Sequence, residues 1–501
     1  MAQRTILVST DEFEKRVAVL SAGKLQEYFL ERSLASHLAG NIYKGKVAQI
    51  VKAMEAAFVD IGLPKNGFLH VQEFLPESLK TEEYSLEPAE GAGETPAPDP
   101  GRRATIDQLL NRGQEVVVQV VKEPFGTKGC RLTTQISLPG RFLVLMPYSR
   151  NVGISKRITN EKERQRLKDV LREINFPKDM GCILRTQAEG RGKREFEREM
   201  GYLLRLWRNI KTKASRHAAP CLLHEEYDLV LRVTRDSFGD DVEQLILDNK
   251  DDFHRVNGFI QTLAPHLRRN LRMHKDRMQL FEKYDVDRQS AEIFQKQVQL
   301  KRGGYIVIER TEALISIDIN SGRFVTGGRL EETAFLTNMD AAEEVARQIL
   351  LRDLAGIIVI DFIDMEKSSN QRRVLQALSQ AMEKDKARST IYQFSPLGLV
   401  QIARQRVRKS IESVLLQECS HCTGRGKVKS VQTVAIEVMR KIRLFLLTNK
   451  KRYLEVNVHP EIAMRLLNED RSAITSLEKR FWIKIAVLTD EHLGLEEVRF
   501  I

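Results

Sequence analysis

Cysteine is scarce in this chain: Cys130, Cys182, Cys221, Cys419 and Cys422 are the only five, an odd number spread over 501 positions. That argues against a disulfide framework and leaves only the last two spaced for joint chemistry. Long apolar runs are also missing. No stretch reaches the roughly 20 apolar residues that a membrane-spanning helix needs, and the opening MAQRTILVSTDEFEKR carries charges where a secretory apolar segment would lie. The expectation is a soluble, cytoplasmic protein with no membrane-spanning segment. What the chain does have is apolar bulk, 42% of residues, and a surplus of positive charge, 80 Lys+Arg against 68 Asp+Glu for a formal net charge of +12. The length calls for several cores, hence three or more domains of ordinary size. The charge points to phosphate-rich partners without saying which.

Composition shifts abruptly at 76–101, an acidic stretch rich in Pro, Gly and Ala that predicts a disordered insertion. Short β-like runs flank it, NIYKGKVAQIV, EAAFVDIG and GFLHVQEF before and EVVVQVVKE and GCRLTTQISL after, and predict a small all-β barrel with a long connection. From 158 to 216 charged helical periodicity surrounds the apolar GCILRTQ, an α/β unit. The segment 229–248 predicts strand, short helix, strand, followed by helices to 284. The N-terminal runs ILVST and KRVAVL need partners there, which would make a discontinuous domain. A strand pair in GGYIVIERTEALISIDINSG, a helix, the strand IIVIDFIDM and a second helix predict a layered α/β domain. Beyond the cysteine pair an amphipathic helix over 431–447 and a strand, helix, strand pattern predict a small C-terminal α/β domain.

Asp318 ends the strand of ALISIDIN and Asp361 follows IIVI, so neighbouring strands would present two carboxylates together, an arrangement suited to Mg²⁺ and to stabilising charge on a phosphodiester. Asn320, on the same strand face as Asp318, could orient a water or the scissile phosphate. Aspartates after strands also cap helices and turns, and spacing alone does not separate Asp364 from Asp361. Cys419 and Cys422 form a CxxC followed by glycines in CSHCTGRG, half of a tetrahedral zinc site whose other half a second subunit would supply; a redox CxxC and two free thiols are the alternatives. Phe58 and Phe68, on consecutive β-like runs with Lys44, Lys46, Lys122 and Lys128 nearby, suit base stacking and phosphate contact, or else barrel core. Arg185 and Thr186 lead into a glycine-containing basic turn able to wrap a terminal phosphate, or a surface salt bridge. Arg404, Arg406, Arg408 and Lys409 form a basic cluster that fits either an RNA backbone or a solvated helix face.

The ordered set GNIYKGKV, AAFVDIG, GTKGCRLTT, RTQAEG, IDINSG, EETAFLTN, IVIDFIDM and CSHCTGRG resembles the catalytic region of the ribonuclease E/G family over nearly the whole chain. The short chain end and the wording VVKEPFGTKG resemble its G-type branch, from which the acidic loop is a departure. The resemblance implies a multidomain α+β fold: an S1 (OB-type) β-barrel at 39–134, with an insertion near 76–105, set into an RNase H-like domain (1–38 and 229–293). It also implies a 5′-sensor (135–228), a DNase I-like α/β catalytic domain (294–415), a zinc link (416–430) and a small C-terminal domain (431–501). By resemblance, Asp318 and Asp361 bind Mg²⁺ with Asn320 in support, and Cys419 and Cys422 bind a Zn²⁺ shared between subunits. The resemblance likewise makes Gly140, Val144, Arg185 and Thr186 a 5′-monophosphate pocket, and Phe58, Phe68 and Lys128 RNA contacts. The implied activity is Mg²⁺-dependent endoribonuclease cleavage of single-stranded RNA, stimulated by a 5′-monophosphate, in maturation of ribosomal RNA precursors and decay of messages. Assembly would be a zinc-linked homodimer, with dimer against tetramer open. The rivals are a noncatalytic S1-type RNA-binding or ribosome-assembly protein and a DNA nuclease.

Overall fold

The computed structural model of the chain describes residues 4–32, 37–74, 84–88, 105–124, 128–174, 176–177, 179–323, 330–383, 385, 387–406, 411–417, 419–422, 424, 426–449 and 452–501. They form two compact units, Met1–Ile411 and Glu412–Ile501.

In the first unit the layered α/β part is a six-stranded sheet in the order Gln297–Gln299, Tyr305–Arg310, Leu314–Asn320, Gly356–Asp361, Leu399–Arg404, Ser389–Ile391. Its central strands alternate with period two. Ile315, Ile317 and Ile319 are buried between Ser316, Asp318 and Asn320, and Ile358 and Ile360 between Ile357, Val359 and Asp361. The buried rows meet Ala341, Val345 and Ile349 of helix Leu330–Arg352 and Val374 and Leu378 of helix Ser368–Met382. Both helices therefore cover one face, and the opposite face stays accessible, with Ile357 56% exposed.

A charged cluster fastens this layer. Arg404 donates to Asp385 (2.7 and 3.1 Å), to Asp353 (2.7 Å) and to the Leu354 carbonyl (2.9 Å). All three side chains are almost wholly buried. The basic run is thus a strand at Arg404, neither an RNA contact nor a solvated helix face, because strand alternation turns that guanidinium inward. Arg406 is exposed, and Arg408 and Lys409 lie outside the described residues.

Five strands close a barrel. Ile42–Val51 pairs antiparallel with both Ala56–Asp60 and Glu115–Lys122, and Gly67–His70 and Arg131–Thr133 complete the ring. Val47, Ala57, Val59, Leu69, Val118 and Leu132 fill it. Gly67 has no alternative, since a Cβ there would sit 2.4 Å from Leu132 Cδ1. Of the segment read as a disordered insertion, Tyr84–Pro88 is instead a strand, antiparallel to Asn151–Ser155; the rest of that reading falls outside the described residues.

Tyr84–Pro88 edges a second sheet that includes Leu143–Met146 and Gly181–Leu184, and helix Lys193–Arg216 shares its core through Phe196, Leu203 and Trp207. A third sheet joins distant parts of the sequence: Arg4–Thr10 pairs parallel with Val242–Leu247 and antiparallel with Glu14–Ser21. Here the first of the two strands expected in 229–248 is the helix Leu229–Ser237, whose cap Asp228 accepts from the Leu231 amide at 3.2 Å. Its apolar Leu229, Val230 and Val233 keep a helical spacing, but seven of its nine residues are buried and the opening LVL reads as a strand. Arg347 ties this third sheet to the layered part, donating to the Leu25 carbonyl (3.0 Å) and to Glu344 (2.8 Å), which also accepts from Lys24 (2.8 Å).

The second unit holds helix Val431–Thr448, capped by Ser430, and a sheet in the order Lys484–Thr489, Tyr453–Val458, Val498–Phe500. Helices Pro460–Asn468 and Arg471–Phe481 cross between its parallel strands. The second of these was not expected; it stops at Trp482, in the left-handed conformation (φ 52°) with no glycine to mark it.

Candidate active site

Asp318 and Asp361 are direct register partners on adjacent parallel strands, and both are exposed on the helix-free face. Neighbouring strands run about 4.8 Å apart, so two carboxylates at one register can reach a common cation. Asn320, the next residue on that face, donates from Nδ2 to Asp318 Oδ2 at 2.8 Å and fixes that carboxylate. Among the described residues no cluster of three or more His, Cys, Asp or Glu side chains is gathered for a metal. A pair of hard oxygen donors facing water is nevertheless what Mg²⁺ accepts, because it keeps several waters of its own.

Two residues that the sequence reading missed shape the chain just after Asp361. Asn338, fully buried, donates to the Ile363 carbonyl (2.7 Å) and accepts from the Ile363 amide (3.1 Å). Glu331, one face-repeat earlier on the same helix, accepts from the Glu366 amide (2.8 Å) and from Asn370 Nδ2 (2.6 Å), and these bonds hold its carboxyl below the usual range. The available signal was a polar residue on the buried side of an otherwise apolar helix face, within EETAFLTN.

On the barrel, Phe58 and Phe68 are register partners with ring centroids 5.9 Å apart, edge to face. Both are half-buried and outside the barrel's core, since Ala57, Val59 and Leu69 take the interior positions. Register carries the row onward from Phe68 to Arg131 and from Arg131 to Lys122, so two aromatics and two cations cross one outer face. Arg131, which pairs with Glu73 at 2.6 Å, was not anticipated. Lys128 is exposed, as is Lys46, whereas Lys44 is engaged with Glu115 (2.7 Å) and the His217 carbonyl (2.9 Å).

The Arg185 guanidinium donates to the Gly140 carbonyl (2.6 Å) and to Asp236 (2.7 Å), which brings Gly140 and Arg185 together; Thr186 follows, exposed. Val144 lies on the adjoining strand, paired with Ile183. Burial would raise the Asp236 carboxyl, but Arg185 and Arg235 outweigh it and hold it at about 2. Gly140 has no room for a side chain: its Cβ would lie 2.6 Å from Glu199 Cδ. Buried Glu199 accepts from the amides of Arg141, Phe142 (2.8 Å) and Leu143 (3.0 Å), and burial pushes its carboxyl up despite those bonds.

Cys419 and Cys422 lie in a turn well ahead of helix Val431–Thr448, not at a helix start as a redox pair would. Gly424 and Gly426 have positive φ (83° and 70°), and the Gly426 amide donates to Cys422 Sγ at 3.3 Å. Amides of Cys422 and His421 lower the Cys419 thiol. Two thiols with amides aimed at sulfur fit one half of a zinc site.

The sequence pattern of the Ribonuclease E/G family matches residues 137–407, that of the S1 RNA binding domain matches 36–133, and that of the RNase E/G thioredoxin-like domain matches 418–500. The chain belongs to the ribonuclease E/G family. Ribonuclease G of Escherichia coli K12 is 39% identical to it over 477 residues, 94% of each chain. Ribonuclease G of Haemophilus influenzae is 38% identical over 495 residues, 98% of each, and Ribonuclease E of that organism is 36% identical over 490 residues, 98% of this chain and 51% of its own. Both G-type relatives are thus matched over nearly their full length. No described helix is long and apolar enough to cross a membrane.

Proposed function

We propose that the chain is an endoribonuclease that hydrolyses internal phosphodiester bonds of single-stranded RNA with Mg²⁺ held by Asp318 and Asp361. The carrying observation is the register pairing of these two exposed aspartates within a ribonuclease family member. Bound there, Mg²⁺ supplies charge stabilisation at the phosphodiester and an activated water. Asn320 keeps the Asp318 carboxylate turned outward, and Asn338 fixes the backbone beyond Asp361. RNA bases stack on Phe58 and Phe68, with Lys122 and Lys128 near the phosphates, and a 5′-monophosphate docks at Gly140, Val144, Arg185 and Thr186. Products carry 5′-phosphate and 3′-hydroxyl ends, as fits maturation of ribosomal RNA precursors and message decay in the cytoplasm. The test is a 5′-labelled single-stranded RNA incubated with purified protein and Mg²⁺, with and without EDTA: cleavage confined to the EDTA-free lane is expected, and equal cleavage in both overturns the reading.

Three further outcomes follow from the same assignment. Phe58→Ala or Phe68→Ala should raise the Kd for single-stranded RNA by about 5- to 150-fold, since a stacked base is worth about 1–3 kcal/mol; fluorescence anisotropy measures it. Arg185→Ala should equalise cleavage of 5′-monophosphorylated, 5′-triphosphorylated and 5′-hydroxylated substrates, of which the unaltered enzyme prefers the first. Cys419 and Cys422 of two subunits would share one Zn²⁺, so metal analysis should find one zinc per two chains and Cys419→Ser should sediment as a smaller particle. Stoichiometric zinc in a monomer would contradict that link.

A further inference from the structure

Helix Lys193–Arg216 has 24 residues, and its buried side chains, among them Phe196, Glu199, Leu203, Trp207 and Ile210, all fall on one side. At 100° per residue, Arg194, Arg198, Arg205, Arg208 and Arg216 lie within an arc of about 80° directly opposite, in a row about 33 Å long. All five are exposed, and none is in an ion pair among the described residues. Nearby Arg185, Arg191 and Arg235 each hold a carboxylate, at 2.7, 2.5 and 2.8 Å. Glu197 is the helix's one exposed carboxylate. The positions between the arginines on the arc are Gly201 and Thr212, which offer no apolar anchor.

We propose that this arginine row binds the sugar-phosphate backbone of RNA, as a track separate from both the terminal-phosphate pocket and the barrel's aromatic face. Charge complementarity selects a polyanion, and the absence of large apolar side chains on the arc disfavours a lipid surface, which needs an apolar face, and a protein interface, which needs aromatic anchors. Guanidinium forks bind phosphate oxygens in pairs. Position gives the track its direction. The helix begins just after the turn Thr186–Ala188 and Arg191, beside the pocket. Its far end meets the barrel, where the His217 carbonyl accepts from Lys44 (2.9 Å) and the Ala219 amide donates to Glu115 (3.2 Å). The row therefore spans the gap between the two RNA-contacting elements, a placement that rests on the proposed function, whereas its affinity for phosphates does not.

The experiment uses the full chain in EDTA, so that no cleavage intervenes, and compares a long single-stranded RNA with a short oligonucleotide. The variant Arg198→Gln/Arg205→Gln/Arg208→Gln keeps good helix formers on a solvent face and should fold normally. Expected is a rise of about tenfold in Kd for the long strand and a salt dependence (log K against log salt) shallower by about 2, the change for three phosphates of a single strand that the protein no longer neutralises. The short oligonucleotide should bind unchanged, and the matching triple change to Lys should restore the slope. Unchanged long-strand affinity and slope, equal loss on both lengths, or loss confined to binding of anionic vesicles would each overturn the proposal. A failed 5′-end reading would show separately, as equal affinity for monophosphorylated and hydroxylated ends.

Discussion

Asparagine in place of Asp318 or Asp361 is expected to slow RNA cleavage by about a thousandfold or more, roughly 4 kcal/mol of barrier, while RNA affinity measured in EDTA changes by about twofold at most, since a metal ligand acts on the transition state rather than on uniform binding. The two variants should not be equivalent. Asn320 donates to Asp318 Oδ2, so in Asp318→Asn the amide oxygen satisfies that donor and the NH₂ group turns toward the cation. Asp361 has no such partner among the described residues, so in Asp361→Asn the amide can still offer its oxygen to the metal. Raising Mg²⁺ should rescue Asp361→Asn in part and Asp318→Asn hardly at all. Near-normal cleavage by both variants would remove these aspartates from the mechanism.

Arg404→Ala should be strongly destabilising in the layered part, because it strips Asp385 of the fork that meets both its oxygens and takes one guanidinium contact from Asp353, each with a side chain 3% exposed. Removing one partner of a buried ion cluster costs about 3–5 kcal/mol. Urea unfolding of the full chain would measure it. Arg404→Lys keeps the charge but cannot reproduce the fork that meets Asp385 at 2.7 and 3.1 Å, so its loss should be intermediate. A variant as stable as the parent at neutral pH would show that the cluster is not a fastener.

What could be read from sequence was whatever left a period or a spacing. ISIDIN alternates cleanly because one face is packed and the other wet, so the outward position of Asp318 was legible; IIVID is apolar up to its last residue and shows no period, and that Asp361 shares a register with Asp318 depends on which strands are neighbours. AAFVD is apolar on both faces, so only the closed barrel could turn Phe58 outward and Ala57 and Val59 in. LVLRVTRDS opens on three consecutive apolar residues, which read as a strand although the helical spacing is present. Partners distant in sequence left no trace at all: Asp236 beneath Arg185, Arg131 beside Phe68. The G-type likeness and the barrel were visible as ordered motifs, whereas the helix Arg471–Phe481 ends on a left-handed tryptophan that no residue preference announces.

The parallel pairing of Arg4–Thr10 with Val242–Leu247 also sets a timetable. At about 5–20 residues per second, a ribosome needs roughly 10–50 s between making the first of these strands and delivering the second. During that interval the opening hairpin waits with an unpaired edge, while all five barrel strands emerge. A nascent chain therefore presents the strands of its S1 RNA binding domain long before the strands that carry Asp318 and Asp361.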